Sequence, residues 1–494
     1  MSKLTKVKNW LLVDLLGRIL INYKGSSTGI GADSLKSLQE GAVYNTFVGE
    51  ASGSSIVGAE DIAIGAENTG VGYGAGRRIT TGKRNVVIGA EAGSLITTGN
   101  YNIMIGAQSS SATGEKTGEL NTVVGYNAGK NWTTAIRNSF YGSDAGSATT
   151  TGRDNVAVGQ AAMQDNTTGG GNTYLGAFAG TQTQSGGNNV GIGRSALFRN
   201  LDGEGNTAVG REAGLGVTQS GASPNNTTIL GFQAGRSQNG LNGVVFCGMQ
   251  SGYKATAMAD TVLVGRASGF NLTTGSNNVM IGAASGDNET DGDKLVYLGH
   301  QAGRTLIDGQ PATGITNSVA IGYRSQVSGS NQFQIGNSSQ TPYAYSALQI
   351  RSDERDKVDQ REISDELAVN LVKDIKACFY KLNLRDDYVD VIERDTGEVD
   401  EHGKPIIITE TVVNENDGSK TRTRFHAGFL AGQVKDTLDK HGVDFGIYQD
   451  HSIKGGADVK TLAYEQMIPV LTQALKVALS RIDALEGRFN IDAA

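Results

Sequence analysis

Cysteine is nearly absent from this chain, with only Cys247 and Cys378 among 494 residues. They fall on opposite sides of a sharp change in composition, so no disulfide framework is visible. Aromatic residues make up 6% of the chain. That leaves little material for aromatic subsites, and the acidic residues Glu91, Asp144 and Glu212 are scattered rather than paired as a glycan-cleaving site requires. Charge is thin over the first 351 residues, where 46 positions are charged, against 47 of the last 143. The first part carries a net +2 and the second −9, so neither has the basic balance of a nucleic-acid binder. No cofactor or metal motif is found, and none is expected. The apolar stretch at residues 10–21 is interrupted by Asp14 and Arg18. It is too short and too charged to span a bilayer, and it has no small-residue cleavage site. The chain is expected to fold in the cytosol where it is made, without membrane insertion.

What the chain has is glycine, 70 residues of it, 60 in the first 351. Many fall on a strict period. An apolar residue followed by glycine recurs as Val71-Gly72, Ile88-Gly89, Ile105-Gly106, Val124-Gly125 and onward to Leu298-Gly299. Of the 13 intervals from Gly72 to Gly299, 11 are 17 residues long, one is 19 and one is 21. A short period held this long means stacked units that each contact only their neighbours. Three residues after each anchor glycine comes Ala or Ser, and four before it Asn recurs, as at Asn85, Asn102, Asn121 and Asn138. Short runs of Val, Ile and Thr bounded by Gly and Asn read as strands of about four residues. The glycines serve tight corners, and stacked Asn side chains can hydrogen-bond along the ladder. The invariant apolar slot reads as core, so Cys247, which occupies it, reads as a small buried hydrophobe. Low-complexity disorder is the bland alternative, and the strict period argues against it. One aliphatic and one alanine per 17 residues is little core for a lone chain, so neighbouring chains are expected to contribute.

Beyond residue 345 the pattern changes. Ser364 reads as the N-cap of an amphipathic helix with Asp365 and Glu366 in its first turn, and with Leu367, Leu371, Ile375 and Cys378 along one face. Residues 379–382 read as a strand. A charged insert around Ile406-Ile407-Ile408, with turn signals at Thr396-Gly397 and Asp417-Gly418, reads as a hairpin. The final helix places Ile468, Leu471, Leu475, Ala478, Ile482 and Leu485 at coiled-coil spacing, and a helix packed on its own domain fits nearly as well. Pro469 is tolerated if that helix begins close by.

The repeats, with N-T-V-V-G-Y-N-A-G at 121–129, resemble the glycine-rich repeats of phage tail fibres. The 14-residue spacing from 317–322 to 331–336 is similar to the β-roll repeats of trimeric adhesin heads. Three further motifs in order resemble the C-terminal intramolecular chaperone of phage tail fibres and tailspikes, a self-cleaving peptidase family. They are S-D-x-R-x-K at 352–357, H-x-G-F-x-A at 426–431, and L-x-Y-x-x-x-I-P-V-L at 462–471. The resemblance implies Ser352 as nucleophile with Lys357 as its base. A lysine serves as base when neutral, and Asp356, where the family usually has an aliphatic residue, favours its charged form.

The expected fold is mainly β, a fibrous trimeric β-helix or β-roll shaft followed by a small α+β domain ending in a long helix. The expected divisions are an N-terminal attachment or capping segment at 1–44, the repeat fibre at 45–345 and the chaperone domain at 346–494. The expected role is a homotrimeric tail fibre of the virion that binds a bacterial surface glycan or protein. Its N-terminus either docks onto other tail or baseplate proteins or caps the first coil. The rival readings are a glycan-degrading tailspike, a bacterial adhesin and a structural fibre segment without receptor binding. Tyr73, Tyr126, Arg194, Arg211, Phe232, Arg266, His300 and Tyr323, each following an anchor glycine, vary between copies and are candidates for a ligand-facing surface, or are merely solvated.

Overall fold

The computed structural model describes residues 10–13, 19–24, 26–39, 41–58, 65–112, 114–216, 223–340, 357–383, 388–399, 405–415, 417–450 and 460–492. The chain divides into two compact units, Met1–Lys294 and Leu295–Ala494.

The first unit is a parallel β-solenoid. Each coil contributes one short strand, such as Val86–Ile88, Thr122–Val124 or Val156–Val158, of three residues rather than four. Each pairs in parallel with the strand one coil away, Thr122 opposite Ser139 and Val124 opposite Tyr141. The anchor glycine sets how closely coils stack. Gly125 sits at φ +144°, and a Cβ there would lie 2.3 Å from the Gly142 oxygen. No side chain fits in that space, and L-residues avoid that φ. The alanine three residues on, as at Ala92, Ala128 or Ala145, is fully buried.

The strand alternation corrects the sequence reading of the core. The buried position is the middle residue, as in Val87, Met104, Val123, Phe140, Tyr174 and Ile229. The apolar residue before the glycine faces outward: Ile88, Leu175, Val209 and Leu230 are each 36% exposed. Cys247 is accordingly half-buried, not buried. Period-2 geometry forces this, because only alternate residues of a strand can point into the coil.

Inside, the asparagines form a continuous amide ladder. Asn138 donates from Nδ2 to Asn121 Oδ1 at 3.1 Å and to the Gly152 carbonyl at 2.9 Å. Its own Oδ1 accepts the Asn155 backbone N–H at 3.1 Å and the Asn155 Nδ2 at 3.0 Å. All four of its hydrogen-bonding valences are used, as burial demands. Ten asparagines from Asn45 to Asn206 are linked this way. Thr227 takes the next rung through Asn206 Oδ1.

At the other end, Trp10–Val13 pairs antiparallel with Ile19–Lys24, which pairs antiparallel with Ser27–Ile30. Ser27–Ile30 is the first strand of the parallel stack, paired with Thr46–Val48. Two antiparallel strands therefore lie on the edge of the first coil.

In the second unit, Thr316–Ile321 and Phe333–Ile335 pair in parallel one 14-residue coil apart. The α+β part follows, with α1 (Asp365–Asp374), α2 (Ala431–Lys440) and α3 (Met467–Asp492). Ser364 caps α1, its Oγ accepting the Leu367 N–H at 3.3 Å. α1 stops at Asp374, shorter than the apolar spacing implies: Ile375 is its C-cap, and Cys378 opens the strand Cys378–Lys381. That strand pairs with Phe425–Gly428. The insert is a hairpin, Val389–Val399 with Pro405–Val413. Thr396-Gly397 lies within its first strand, where the register breaks between Asp395 and Val399, instead of at the turn. Ala368, Leu371, Ile375, Val434, Leu438, Ile447, Met467 and Val470 form the core. Pro469 falls in the first turn of α3, where its missing N–H costs nothing.

Candidate functional surfaces

The residues implied for self-cleavage are divided. Ser352 and Asp356 lie outside the described residues, and Lys357 is solvent-exposed. The second and third C-terminal motifs do meet. The Phe429 N–H donates to Tyr464 Oη at 3.2 Å, and the two rings stack at 5.6 Å. His426 stacks on Tyr380 at 5.9 Å, across the strand pair that aligns them. Phe429 and Leu462 pack on the domain core. These motif residues hold the strand Phe425–Gly428 against the start of α3, a structural job.

The residues after the anchor glycines are mostly outward-facing. Tyr73, Tyr126, Phe232 and Tyr323 are exposed. Arg211 is instead engaged, over the Phe232 ring at 5.6 Å and on Glu212 at 3.0 Å. His300 and Tyr323 stack at 5.5 Å. Glu212, one of the scattered acids, is buried between Arg211 and Arg236 and accepts from Gln233 Nε2 at 2.9 Å. Burial pushes its pKa up, but the hydrogen bonds from Gln233, Arg236 and Arg211 outweigh this and hold it below the usual carboxylate range. A carboxylate so committed is a structural ion cluster, not a catalytic acid. Asp144 accepts from Ser143 Oγ at 2.9 Å. Among the described residues there is no group of three or more metal-ligating side chains, and no helix long and apolar enough to cross a membrane.

Two surfaces stand out by their apolarity. One is the outer face of the strand ladder, where the apolar residue before the anchor glycine repeats over thirteen coils from Val71 to Ile281, with Ile103, Val190, Val245 and Val262 beside it. A parallel sheet is normally covered on both faces, and so large an apolar strip is unusual on a monomer. The other is α3. Met467, Val470 and Ala474 pack on the domain core, while Ile468, Leu471, Leu475, Ile482 and Leu485 are exposed, Ile468 to 62%. The helix thus uses one face for its own domain and leaves the coiled-coil seam uncovered. No family model matches the chain, and no curated protein is similar to it at a significant level.

Proposed function

We propose that this chain is a phage tail fibre: a homotrimer that binds a receptor on the bacterial surface and is assembled by its own C-terminal chaperone domain. The observation that carries the reading is the pair of uncovered apolar surfaces, the outer strand ladder and the α3 seam. Each repeats along its own element, so a second and third copy in parallel register match it residue for residue. A parallel coiled coil at α3 brings three chains into register, and the ladders then bury against one another. Coils held together by glycine contacts and an internal amide ladder make a stiff support for receptor-facing side chains. Labelled full-length protein should adsorb saturably to cells of a susceptible bacterial strain. A fibre that trimerises but adsorbs to no strain on which the parent particle grows would leave only the structural-fibre reading.

The chaperone role includes a single self-cleavage. Ser352 Oγ adds to the backbone carbonyl beside it as Lys357, in its neutral form, takes the hydroxyl proton. The C–N bond breaks, the amine leaves protonated, and water releases the acyl group. The products are a fibre of about 351 residues and a piece of about 143, by the position of Ser352. A placed base contributes about 10²–10⁴-fold, so Ser352→Ala and Lys357→Ala should each give an intact chain on a denaturing gel. Asp356→Leu should cut faster. An uncut wild type removes the peptidase step, and a Ser352→Ala chain that still cuts removes the dyad.

A further inference from the structure

In the first unit, the coil limb just ahead of the asparagine ladder opens into a groove of about 720 Å³ that crosses four coils. That is within the range of about 300–1,000 Å³ typical of small-ligand sites. Its rim carries Thr134, Thr151, Thr168, Arg153, Asp154 and Asn188. Side chains end abruptly here. The two positions before the ladder asparagine hold Ile136-Arg137 and Arg153-Asp154, and in the next coil Gly170-Gly171. The missing side chains leave a gap between Arg153 and Asn188.

Apart from Asp154, the polar side chains around this gap are uncommitted. Arg84 is taken by Glu67 at 2.7 Å, and Arg137 grips Asp154 through two bonds of 2.6 and 3.0 Å. Asp154 is thereby paired in its ionised form, its pKa held down first by the Arg137 hydrogen bond and in smaller part by the nearby Arg153 charge. Arg153 is exposed, and its guanidinium makes no hydrogen bond or ion pair with the described residues. The threonine pairs divide in the same way. Thr133, Thr150 and Thr167 donate their hydroxyls to carbonyls of the next coil at 3.2, 3.0 and 3.1 Å. Their partners Thr134, Thr151 and Thr168 make no side-chain bond with the described residues and line the groove. The one uncommitted charge is a cation, set among free hydroxyls, an amide and the apolar Ile136.

We propose that this groove binds an acidic saccharide. Arg153 takes its carboxylate or phosphate, Thr151, Thr168 and Asn188 meet sugar hydroxyls, and Ile136 lies against an apolar ring face. The assignment rests on the receptor-binding reading above and names its ligand class. A planar guanidinium pairs with either anion through two parallel bonds, so the two sources share one chemistry.

The test titrates full-length protein with oligogalacturonate, a mannose-6-phosphate oligosaccharide and neutral dextran. Saturable binding of a carboxylate or phosphate probe, weakened at least about tenfold by Arg153→Gln and by added salt, is expected. Lys83→Gln, at the same coil position but outside the groove, should leave binding unchanged. Equal binding by Arg153→Gln, dextran binding as tight as the anionic probes, or no binding of either anionic probe would overturn the assignment. Adsorption of the same proteins to bacterial cells separates the two levels. If Arg153→Gln adsorbs as well as the wild type, the groove falls and the receptor reading stands. If the wild type adsorbs to no strain, both fall.

Discussion

Asn138 shows that the interior of the solenoid is held by hydrogen bonds as well as by apolar packing. Its side chain makes two donor and two acceptor bonds inside the coil, so Asn138→Leu strands the Gly152 carbonyl and two donors of Asn155. At about 1–3 kcal/mol per stranded buried group, the variant should lose roughly 3–9 kcal/mol, read by denaturant unfolding. A loss under about 1 kcal/mol would mean that the ladder is decoration. Lys116 makes the opposite case. It is buried in the 19-residue coil, with Nζ on the Lys130 carbonyl at 3.1 Å and over the Trp132 ring at 5.9 Å. Burial pushes its pKa down to about 8, against about 10.4 for a free lysine. Between these two values the unfolded chain binds more protons than the folded one, so stability rises with pH through that window. Below about pH 8 the penalty is present in full, about 3 kcal/mol. Lys116→Met should therefore be more stable at pH 7 and lose the rise in stability between pH 8 and 10.4. An unchanged pH profile would contradict the assignment.

Among the elements, the three-residue strands and α3 share one feature, apolar residues on both faces. The period and the strand positions were legible in the sequence because glycine and asparagine mark every coil. Which apolar residue points inward was not, because Val123 and Val124 are the same residue and differ only in parity. The N-cap Ser364 was readable from residue type, whereas the end of α1 was not, since Ile375 and Cys378 continue the helical spacing after the chain has turned. For α3 the spacing allowed either a seam or self-packing; the helix packs on its domain through Met467, Val470 and Ala474 and leaves the seam residues exposed. Leu475→Glu with Ile482→Glu should separate these roles. The Met467 and Val470 contacts remain, so the domain keeps its circular-dichroism spectrum, while sedimentation of the freshly folded full chain falls toward monomer. A double variant that still trimerises would move the assembly determinant away from this seam.

At the scale of the whole molecule, repetition converts small local choices into long continuous surfaces. One outward-facing apolar residue per coil is unremarkable, but thirteen in register form a strip that water solvates poorly. The groove arises by the reverse route, from one coil in which Gly170-Gly171 replace the usual side chains. Its only sequence signal is the run Gly169-Gly170-Gly171, which by itself reads as a flexible turn. That Arg153 is uncommitted while Arg137 is paired depends on a one-residue offset between coils, visible only once the stack is built. Self-association is the claim from which the fibre reading follows, and sedimentation equilibrium of the purified full chain tests it most directly. A mass near three times the 51.6 kDa of one chain, or three times that of the cut fibre, is the predicted result. A stable monomer with its strand ladder open to water would contradict the account.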